Sequence, residues 1–269
     1  MTLPPIHFVH ANSYPAGTYQ RYLDELARHA SVQALDMHAH NPAFPVGDGW
    51  RALAQELVGE LEQRYRTPVV LIGHSMGGML SLMAGQARPD LVRCVVLLDA
   101  PVVAGWRAMV WRLIKTQRWA DKYTPAKFSA RRRFVWPDLA SARAHFQAKD
   151  LFAAWAPGVL ENYLTHGLKV HDCGVQLRFS RETETAVYRS LPHHLGRFAG
   201  RRYPVPIGFI GGRDSQECRQ AGMGATRRLV GPHLRTLPGG HLFPMESPAL
   251  AAQATLAMIN SLLGADATC

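Results

Sequence analysis

A serine between two glycines carries the clearest chemical signal in this sequence. Residues 73–77 read Gly73-His74-Ser75-Met76-Gly77, after the apolar run 69–72 and at the start of the apolar stretch 76–87. A G-x-S-x-G pattern between a strand and a helix is typical of a sharp turn that presents the serine hydroxyl as a nucleophile. The N–H of Met76, at the positive end of the helix, is a candidate donor to a developing oxyanion. The alternative is a plain Gly-rich turn in which Ser75 only caps the helix.

Buried strands and helices must position this turn. Apolar runs rich in β-branched residues and bounded by turn residues predict strands that are buried on both faces of a parallel sheet. These runs are 6–9, 69–72, 94–98 and 207–210. Apolar residues at helical spacing predict helices, and the segments concerned are 18–30, 49–65, 76–87 and 247–263. Strands that alternate with helices indicate a βαβ-type sheet covered on both sides.

The middle of the chain interrupts this alternation. From about residue 103 to residue 194 the sequence is rich in aromatic and basic residues and shows no clear buried strand. Stretches 106–119 and 139–155 have amphipathic helical patterns and are separated by prolines. We therefore expect a core made of residues 1–102 and 195–269, with a mostly helical lid inserted at 103–194. Most aromatic residues of the lid are expected to pack against one another.

Composition limits the classes of function. The 269 residues are 47% hydrophobic and 19% charged, which is typical of a compact globular protein. Thirty Lys and Arg against twenty Asp and Glu give a net charge of +10. The basic residues are interpreted as scattered, with small clusters that resemble no nucleic-acid-binding module. A solvated basic surface is expected, with polyanion binding or attraction of anionic substrates as the alternatives.

Cysteine usage and hydropathy suggest the environment of the protein. Four widely spaced cysteines show neither a disulfide framework nor metal-binding spacing, which favours a reducing compartment. The sequence shows no signal-peptide pattern at its start and no apolar run as long as a membrane span. We expect a cytoplasmic protein that binds a small-molecule substrate and neither nucleic acid nor membrane. A homodimer is left open.

The sequence resembles the α/β-hydrolase family over nearly its whole length. The resemblance rests on the serine turn and on two later segments, Gly211-Gly212-Arg213-Asp214 and Gly239-Gly240-His241. It implies the α/β-hydrolase fold, which is a mostly parallel central sheet flanked by helices, here with an inserted helical lid. The family order of catalytic residues is Ser, then Asp, then His. Ser75, Asp214 and His241 occur in that order.

The resemblance also implies a role for each residue. Ser75 is the nucleophile, His241 accepts its proton, and Asp214 orients and stabilises the imidazole. Asp99 is the alternative acid, because it directly follows the run 94–98 and some members of this fold place the acid there. Asp214 is favoured over Asp99 because its position is the commoner one in the family.

A second oxyanion donor is expected from the loop after the first strand. The family often has His-Gly there, whereas this chain has His10-Ala11-Asn12. Ala11 departs from the family glycine, which affects the loop conformation but not the presence of a backbone donor. The Asn12 N–H is the candidate that pairs with the Met76 N–H, and His10 is expected to brace the loop.

The resemblance implies a serine hydrolase. It would cleave an ester, a thioester or a related acyl bond of a small, largely apolar substrate through an acyl-enzyme. Hydrolysis of a carbon–carbon bond on the same residues, and ligand binding without catalysis, are the alternatives. No cofactor and no metal are expected, since the sequence lacks an H-E-x-x-H motif and a G-x-G-x-x-G motif after the first strand.

Overall fold

A six-stranded, all-parallel sheet forms the centre of the molecule. The structure is a computed structural model that describes residues 3–116 and 119–265. The strands lie in the order β2-β1-β3-β4-β8-β9. Their bounds are β1 (Ile6–Val9), β2 (Val32–Ala34), β3 (Val69–His74), β4 (Val92–Leu98), β8 (Ile207–Gly212) and β9 (Leu234–Leu237). A second, antiparallel sheet has the order β5-β7-β6, with β5 (Val135–Trp136), β6 (Leu168–His171) and β7 (Gly174–Leu177).

Helices cover both faces of the central sheet. In chain order, the helices of the described residues are α1 (Gln20–Ala27), α2 (Arg51–Arg64), α3 (Met76–Ala87), α4 (Trp106–Thr116), α5 (Ala120–Tyr123), α6 (Ala126–Ser129), α7 (Leu139–Gln147), α8 (Asp150–Ala153), α9 (Val159–Gly167), α10 (Arg181–Arg189), α11 (Gln216–Ala221), α12 (Gly224–Val230), α13 (Phe243–Glu246) and α14 (Pro248–Ala265). The predicted α/β-hydrolase fold, with a mostly parallel sheet flanked by helices, is confirmed.

Successive side chains of a strand point to opposite faces, and the core follows this alternation. Val70 and Ile72 of β3 pack in one apolar cluster together with residues of α1 and α14. Val69 and Leu71 pack in the other cluster, with residues of α2 and α3. All four side chains are completely buried, which explains why β3 appears in the sequence as a continuous apolar run.

The segment between β4 and β8 holds α4 to α10 and the small antiparallel sheet. We call residues 103–194 the insertion. Its helices match the expected helical character, but the three short strands were not expected. β6 and β7 are only partly buried, so they lack the apolar run that marks a strand in the sequence. The division into a core of residues 1–102 and 195–269 and an inserted lid stays a prediction.

The strand register brings four loops to one edge of the sheet. Val9 of β1 pairs with Gly73 of β3, and His74 pairs with Leu98 of β4. Leu98 in turn pairs with Ile210 of β8. Because these strands are parallel, the residues after them lie side by side at the carboxyl edge, which is where sheets of this kind place their sites.

Two further expectations concern hydropathy and cysteines. Among the described residues, no helix is long and apolar enough to cross a membrane. Cys94, Cys173 and Cys218 are not joined in disulfides. Cys269 lies outside the described residues.

Candidate active site

Ser75 lies in the turn between β3 and α3. Its backbone has φ 52° and ψ −113°, a region that non-glycine residues rarely occupy. The Ser75 N–H donates to the Leu98 carbonyl at 2.9 Å, which ties the turn to the end of β4. A strained backbone persists only where its surroundings hold it, and such strain clusters at functional sites. The turn predicted from the sequence therefore has the expected form.

Close backbone contacts explain the glycines around Ser75. A β-carbon on Gly73 would collide with the Gly77 carbonyl, and one on Gly77 would collide with the Val9 carbonyl. Backbone atoms cannot turn aside as a flexible side chain can. Glycine at these positions thus lets β1, β3 and α3 approach one another beside Ser75.

His241 links Ser75 to an acid. Its Nε2 lies 3.0 Å from the Ser75 Oγ, and its Nδ1 lies 2.8 Å from Oδ1 of Asp99. A carboxylate only accepts hydrogen bonds, so Nδ1 carries the proton and Nε2 is free to accept the serine proton. The Asp99 side chain is completely buried, whereas that of His241 is 21% exposed. The three side chains form a hydrogen-bonded chain in which Ser75 contacts His241 and the buried Asp99 carboxylate holds the imidazole.

Four hydrogen bonds fix the Asp99 carboxylate, and the longest of them comes from the Cys218 thiol to Oδ1 at 3.5 Å. Besides His241, the Gly212 N–H donates to Oδ2 and the Ser215 hydroxyl donates to Oδ1, both at 2.7 Å. Burial alone would raise the pKa of Asp99, but these bonds and the nearby imidazole outweigh it and lower the pKa. Asp99 is therefore an ionised, fixed partner for His241 near neutral pH.

Asp214 does not lie against His241, and this corrects the preference expressed for it from the sequence. Its side chain is exposed, its N–H donates to the Gly239 carbonyl at 3.0 Å, and its own carbonyl accepts from Arg219 at 2.7 Å. The turn after β8 points Ser215, the next residue, toward the site. Asp99, the alternative, occupies the position expected of the acid.

The contact between His241 and Asp99 sets the pKa of His241. Burial alone would lower the pKa of this imidazole, but the hydrogen bond and charge of Asp99 raise it, with smaller contributions from Glu217 and Glu246. The raised pKa makes His241 a stronger proton acceptor.

The two candidate oxyanion donors lie at the same edge of the sheet. Met76 is the first residue of α3, so its N–H precedes the first intrahelical hydrogen bond. Asn12 follows β1, and its side-chain amide donates to the Glu184 carbonyl of α10 at 3.2 Å. The Asn12 side chain thus joins this loop to the insertion. That the N–H groups of Met76 and Asn12 stabilise an oxyanion stays a prediction.

His10 holds the loop in which Asn12 lies. Its Nδ1–H donates to the Ala11 carbonyl at 2.8 Å, and its Nε2 accepts from the His38 N–H at 2.8 Å. Burial lowers the pKa of His10 to about 3, so the ring is neutral. These contacts are those of a loop-bracing residue.

A second chain of hydrogen bonds runs behind Ser75, and the sequence did not point to it. The Ala11 N–H donates to the Tyr19 oxygen at 3.2 Å, and Tyr19 lies 2.7 Å from Nδ1 of His74. The His74 Nε2 lies 2.9 Å from the His241 carbonyl, which only accepts, so Nε2 carries the proton and the Tyr19 hydroxyl donates to Nδ1. Burial, followed by the charge of His241, lowers the pKa of His74 to about 3. The chain connects the loop after β1, the serine turn and the His241 loop.

Aromatic side chains lie where the insertion meets the core. Tyr14, in the loop after β1, packs with ring centroids 5.8 Å from both Trp155 and Tyr163. The Tyr163 hydroxyl accepts from Arg132 at 3.2 Å, and Arg132 pairs with Glu184 at 2.6 Å. This region is thus mostly aromatic, and the Arg132 guanidinium beside it is already paired with the Glu184 carboxylate.

Asp99, Glu217 and His241 have ligand atoms within 4.8 Å of one another, a spacing that could hold a metal ion. Both ring nitrogens of His241 are already within hydrogen-bond distance of Asp99 and Ser75. A metal on His241 would replace one of these bonds. The geometry therefore fits proton transfer better than metal binding.

The profile of the alpha/beta hydrolase family matches residues 8–254. The chain belongs to this family. Its curated relatives include a protein named as a lipase and one named as a hydrolase.

Two curated relatives are similar to part of this alpha/beta hydrolase. The sn-1-specific diacylglycerol lipase ABHD11 of Mus musculus is 31% identical over 102 residues, which is 36% of this chain and 33% of the relative. The 2-(acetamidomethylene)succinate hydrolase of Mesorhizobium japonicum is 28% identical over 98 residues, 36% of this chain and 35% of the relative. The matched stretch spans about a third of the length of these relatives.

Solved structures share the fold over nearly the whole chain. The crystal structure of an E-2-(acetamidomethylene)succinate hydrolase has a TM-score of 0.78 at 20% identity, covering 96% of this chain and 91% of the other. The peroxisomal alpha-beta-hydrolase Lpx1 of Saccharomyces cerevisiae has a TM-score of 0.73 at 17% identity, covering 98% and 79%. At these identities the likeness concerns the fold.

Proposed function

We propose that this alpha/beta hydrolase is a serine hydrolase of an ester, a thioester or a related acyl bond. The observation that carries the proposal is the hydrogen-bonded chain in which the Ser75 Oγ lies 3.0 Å from His241 Nε2 and Asp99 lies 2.8 Å from Nδ1. Ser75 is the nucleophile, His241 the general base and Asp99 the acid that orients the imidazole.

In the first half of the reaction, the Ser75 oxygen attacks the substrate carbonyl carbon while its proton passes to His241 Nε2. The carbonyl oxygen becomes an oxyanion, which the N–H groups of Met76 and Asn12 stabilise. His241 then returns the proton to the leaving alcohol or thiol as the bond to carbon breaks. An acyl group remains on Ser75.

Water completes the reaction. His241 takes a proton from a water molecule, whose oxygen attacks the acyl carbon. The second tetrahedral intermediate collapses, the bond to the Ser75 oxygen breaks, and His241 reprotonates that oxygen. The products are a carboxylic acid and the enzyme in its starting state. Asp99 stays ionised throughout and stabilises each imidazolium that forms.

The aromatic packing of Tyr14, Trp155 and Tyr163 makes the surroundings of the loop after β1 apolar, which favours a largely apolar substrate. Arg132 could bind an anionic group only by giving up Glu184 or by sharing it. The mouse relative, by its name, acts on diacylglycerol, which is an apolar ester. We therefore favour an uncharged acyl ester over a carboxylate-bearing substrate.

A fluorophosphonate probe tests the nucleophile directly. We expect stoichiometric labelling of Ser75, no labelling of Ser75→Ala, and full labelling of Ser261→Ala, an exposed serine on α14 that serves as the matched control. Turnover of p-nitrophenyl esters of increasing acyl length should disappear in Ser75→Ala alone. A folded protein that is neither labelled nor active on any ester of the series would overturn the proposal.

A further inference from the structure

Helix α4, the first helix of the insertion, presents an apolar stripe to solvent. Trp106, Met109, Val110 and Leu113 are 66%, 73%, 44% and 55% exposed. Their spacing of three, four and seven residues puts them on one face of the helix. The opposite side attaches to the chain near the end of the insertion, where Trp111 Nε1 donates to the Leu191 carbonyl at 3.1 Å. The helix thus turns its apolar stripe outward.

The exposed apolar surface continues beyond α4. Trp119, at the start of α5, is 54% exposed, Tyr123 at its end is 55% exposed, and Phe128 of α6 is 78% exposed. Large exposed apolar patches on a water-facing surface mark places where another surface binds. We call the exposed apolar and basic residues of 106–133 the 106–133 face.

The positive charge of the protein is concentrated on this same stretch. Residues 106–133 hold nine of the thirty Lys and Arg of the chain but one of its twenty Asp and Glu. That one acid, Asp121, is held by Arg189 through two bonds of 2.6 Å. The basic residues are therefore less scattered than the sequence clusters suggested.

Several of these cations are free to meet an external anion. In the part of the chain that the structure describes, ion pairs are formed by Lys115 and Arg132 of this stretch. The exposed bases without an ion pair among the described residues are Arg107, Arg112, Lys122, Lys127, Arg131 and Arg133. Two of them lie beside exposed rings, Arg107 at 4.9 Å from the Trp106 centroid and Lys122 at 5.6 Å from the Tyr123 centroid.

We propose that the 106–133 face docks the protein on the surface of an anionic phospholipid bilayer. Aromatic and aliphatic side chains would enter the boundary between headgroups and acyl chains, while the adjacent Lys and Arg meet lipid phosphates. This is peripheral binding and needs no membrane-spanning helix. It goes beyond the proposed hydrolysis and replaces the sequence-based expectation that the protein avoids membranes.

Charge complementarity selects this occupant over a second copy of the chain. If two 106–133 faces packed together, two positively charged surfaces would meet, and their unpaired bases would face one another. A bilayer rich in phosphatidylglycerol supplies the opposite charge and an apolar layer at the same time. A soluble polyanion supplies only the charge, so it would leave the apolar side chains of Trp106, Met109 and Phe128 exposed to water.

Vesicle co-sedimentation of the full chain tests the proposal. We expect binding to vesicles of phosphatidylcholine with about 30 mol % phosphatidylglycerol, weak binding to phosphatidylcholine alone, and loss of binding at high salt. Reversing two charges in Lys122→Glu/Lys127→Glu should weaken binding by about tenfold or more. The control Arg66→Glu/Arg93→Glu makes the same charge change at exposed positions by the amino ends of β3 and β4, opposite the insertion, and should bind as the parent does.

Two double variants that replace apolar residues by serine test the apolar part of the 106–133 face. Trp106→Ser/Leu113→Ser should also lose vesicle binding, whereas Val170→Ser/Leu250→Ser, at exposed apolar positions on β6 and α14, should not. If Trp106→Ser/Leu113→Ser binds vesicles as tightly as the parent, the face attracts polyanions only and the proposal is wrong. The proposal is also overturned if the parent protein does not bind anionic vesicles. It is overturned as well if light scattering without vesicles shows a dimer of the parent that Trp106→Ser/Leu113→Ser disrupts. Because these tests measure binding, their failure is separate from failure of probe labelling at Ser75.

Discussion

The Ser215 hydroxyl donates a 2.7 Å hydrogen bond to Oδ1 of Asp99, across the gap between the ends of β4 and β8. Ser215 also accepts from the Cys218 N–H at 3.1 Å and so caps α11. One side chain thus fixes both the loop after β8 and the acid that follows β4. The loop that was expected to supply the acid instead holds it in place.

The two aspartates should respond differently to substitution. Asp99→Asn keeps the size of the side chain but removes the charge that fixes the His241 tautomer, so kcat should fall by about 10⁴-fold. Asp214→Asn should leave kcat near that of the parent, because the Asp214 side chain is exposed. Steady-state ester hydrolysis, with circular dichroism to verify folding, distinguishes them. The reverse ranking would show that the acid moves when substrate binds.

Ser215→Ala tests the support of the acid. Losing a hydrogen bond to a charged group should lower kcat by about tenfold. It should also move the acid limb of the pH profile upward, because a carboxylate with one donor fewer holds the His241 proton more strongly and raises the pKa of His241 further. The variant also loses a helix cap, at about 1 kcal/mol of stability. Asp138→Ala, which removes the cap of α7, is the matched control for that loss. A kcat change of equal size in both variants would mean that Ser215 acts through stability alone.

Activity should depend on the protonation of His241. Because Asp99 raises the pKa of His241, kcat/KM should increase with pH through an inflection above that of a free histidine. In Asp99→Asn the residual activity should have its inflection at lower pH. His74, with a pKa of about 3, does not contribute in this range. An inflection that stays in place in Asp99→Asn would contradict the pairing.

Substitution of a glycine in the serine turn by alanine is expected to destabilise the protein, unlike the same substitution in an open part of a helix. Gly77→Ala places a methyl group against the Val9 carbonyl and should cost about 1–3 kcal/mol of unfolding free energy, together with activity. Gly59→Ala, inside α2 with open space around it, should stabilise the protein by about 0.5–1 kcal/mol. Urea denaturation of both variants gives the comparison. A tolerated Gly77→Ala would show that β1 and α3 can move apart.

Tyr19, in the turn before α1, and Tyr22, in α1, allow a matched comparison of two buried tyrosines. Both are buried and both hydroxyls make hydrogen bonds, but only Tyr19 lies between Ala11 and His74. Tyr19→Phe should cost about 1–3 kcal/mol by leaving buried groups unpaired, and should lower kcat by about tenfold or more through displaced loops.

Tyr22→Phe provides the control. The Thr255 hydroxyl that contacts Tyr22 also donates to the Ala251 carbonyl at 2.8 Å, so it keeps a partner. We expect a loss of about 1 kcal/mol in unfolding free energy and no change in kcat. Equal kcat values for the two variants would exclude a positioning role for Tyr19.

The buried strands could be predicted because each of them contains a continuous apolar run. The run 94–98 lies within β4 (Val92–Leu98), and 207–210 lies within β8 (Ile207–Gly212). The edge strands β2 and β9 are short and partly exposed, so they lack such a run. The helix expected at 139–155 is instead two helices, α7 and α8.

The site was predictable to the extent that its residues lie in motifs. Ser75 and His241 were indicated by their motifs and their order, and the structure places them 3.0 Å apart. Asp99 and Asp214 both follow a buried strand, so the sequence could not decide which carboxylate turns inward. The folded chain shows the difference: Asp99, with φ 41°, lies 2.8 Å from His241 Nδ1, whereas the Asp214 side chain is exposed.

The start of the insertion lies in contact with the residues that directly follow its end. A methyl group on Gly196 would lie 2.5 Å from the Ala104 β-carbon and 2.6 Å from the Val103 carbonyl. The strands that flank the insertion, β4 and β8, are also direct neighbours in the sheet. Because the cost of closing a chain segment grows slowly with its length, this stretch can be lengthened or exchanged as a cassette without separating the strands. Such a change would leave Ser75, Asp99 and His241 in contact, because all three lie outside residues 103–194.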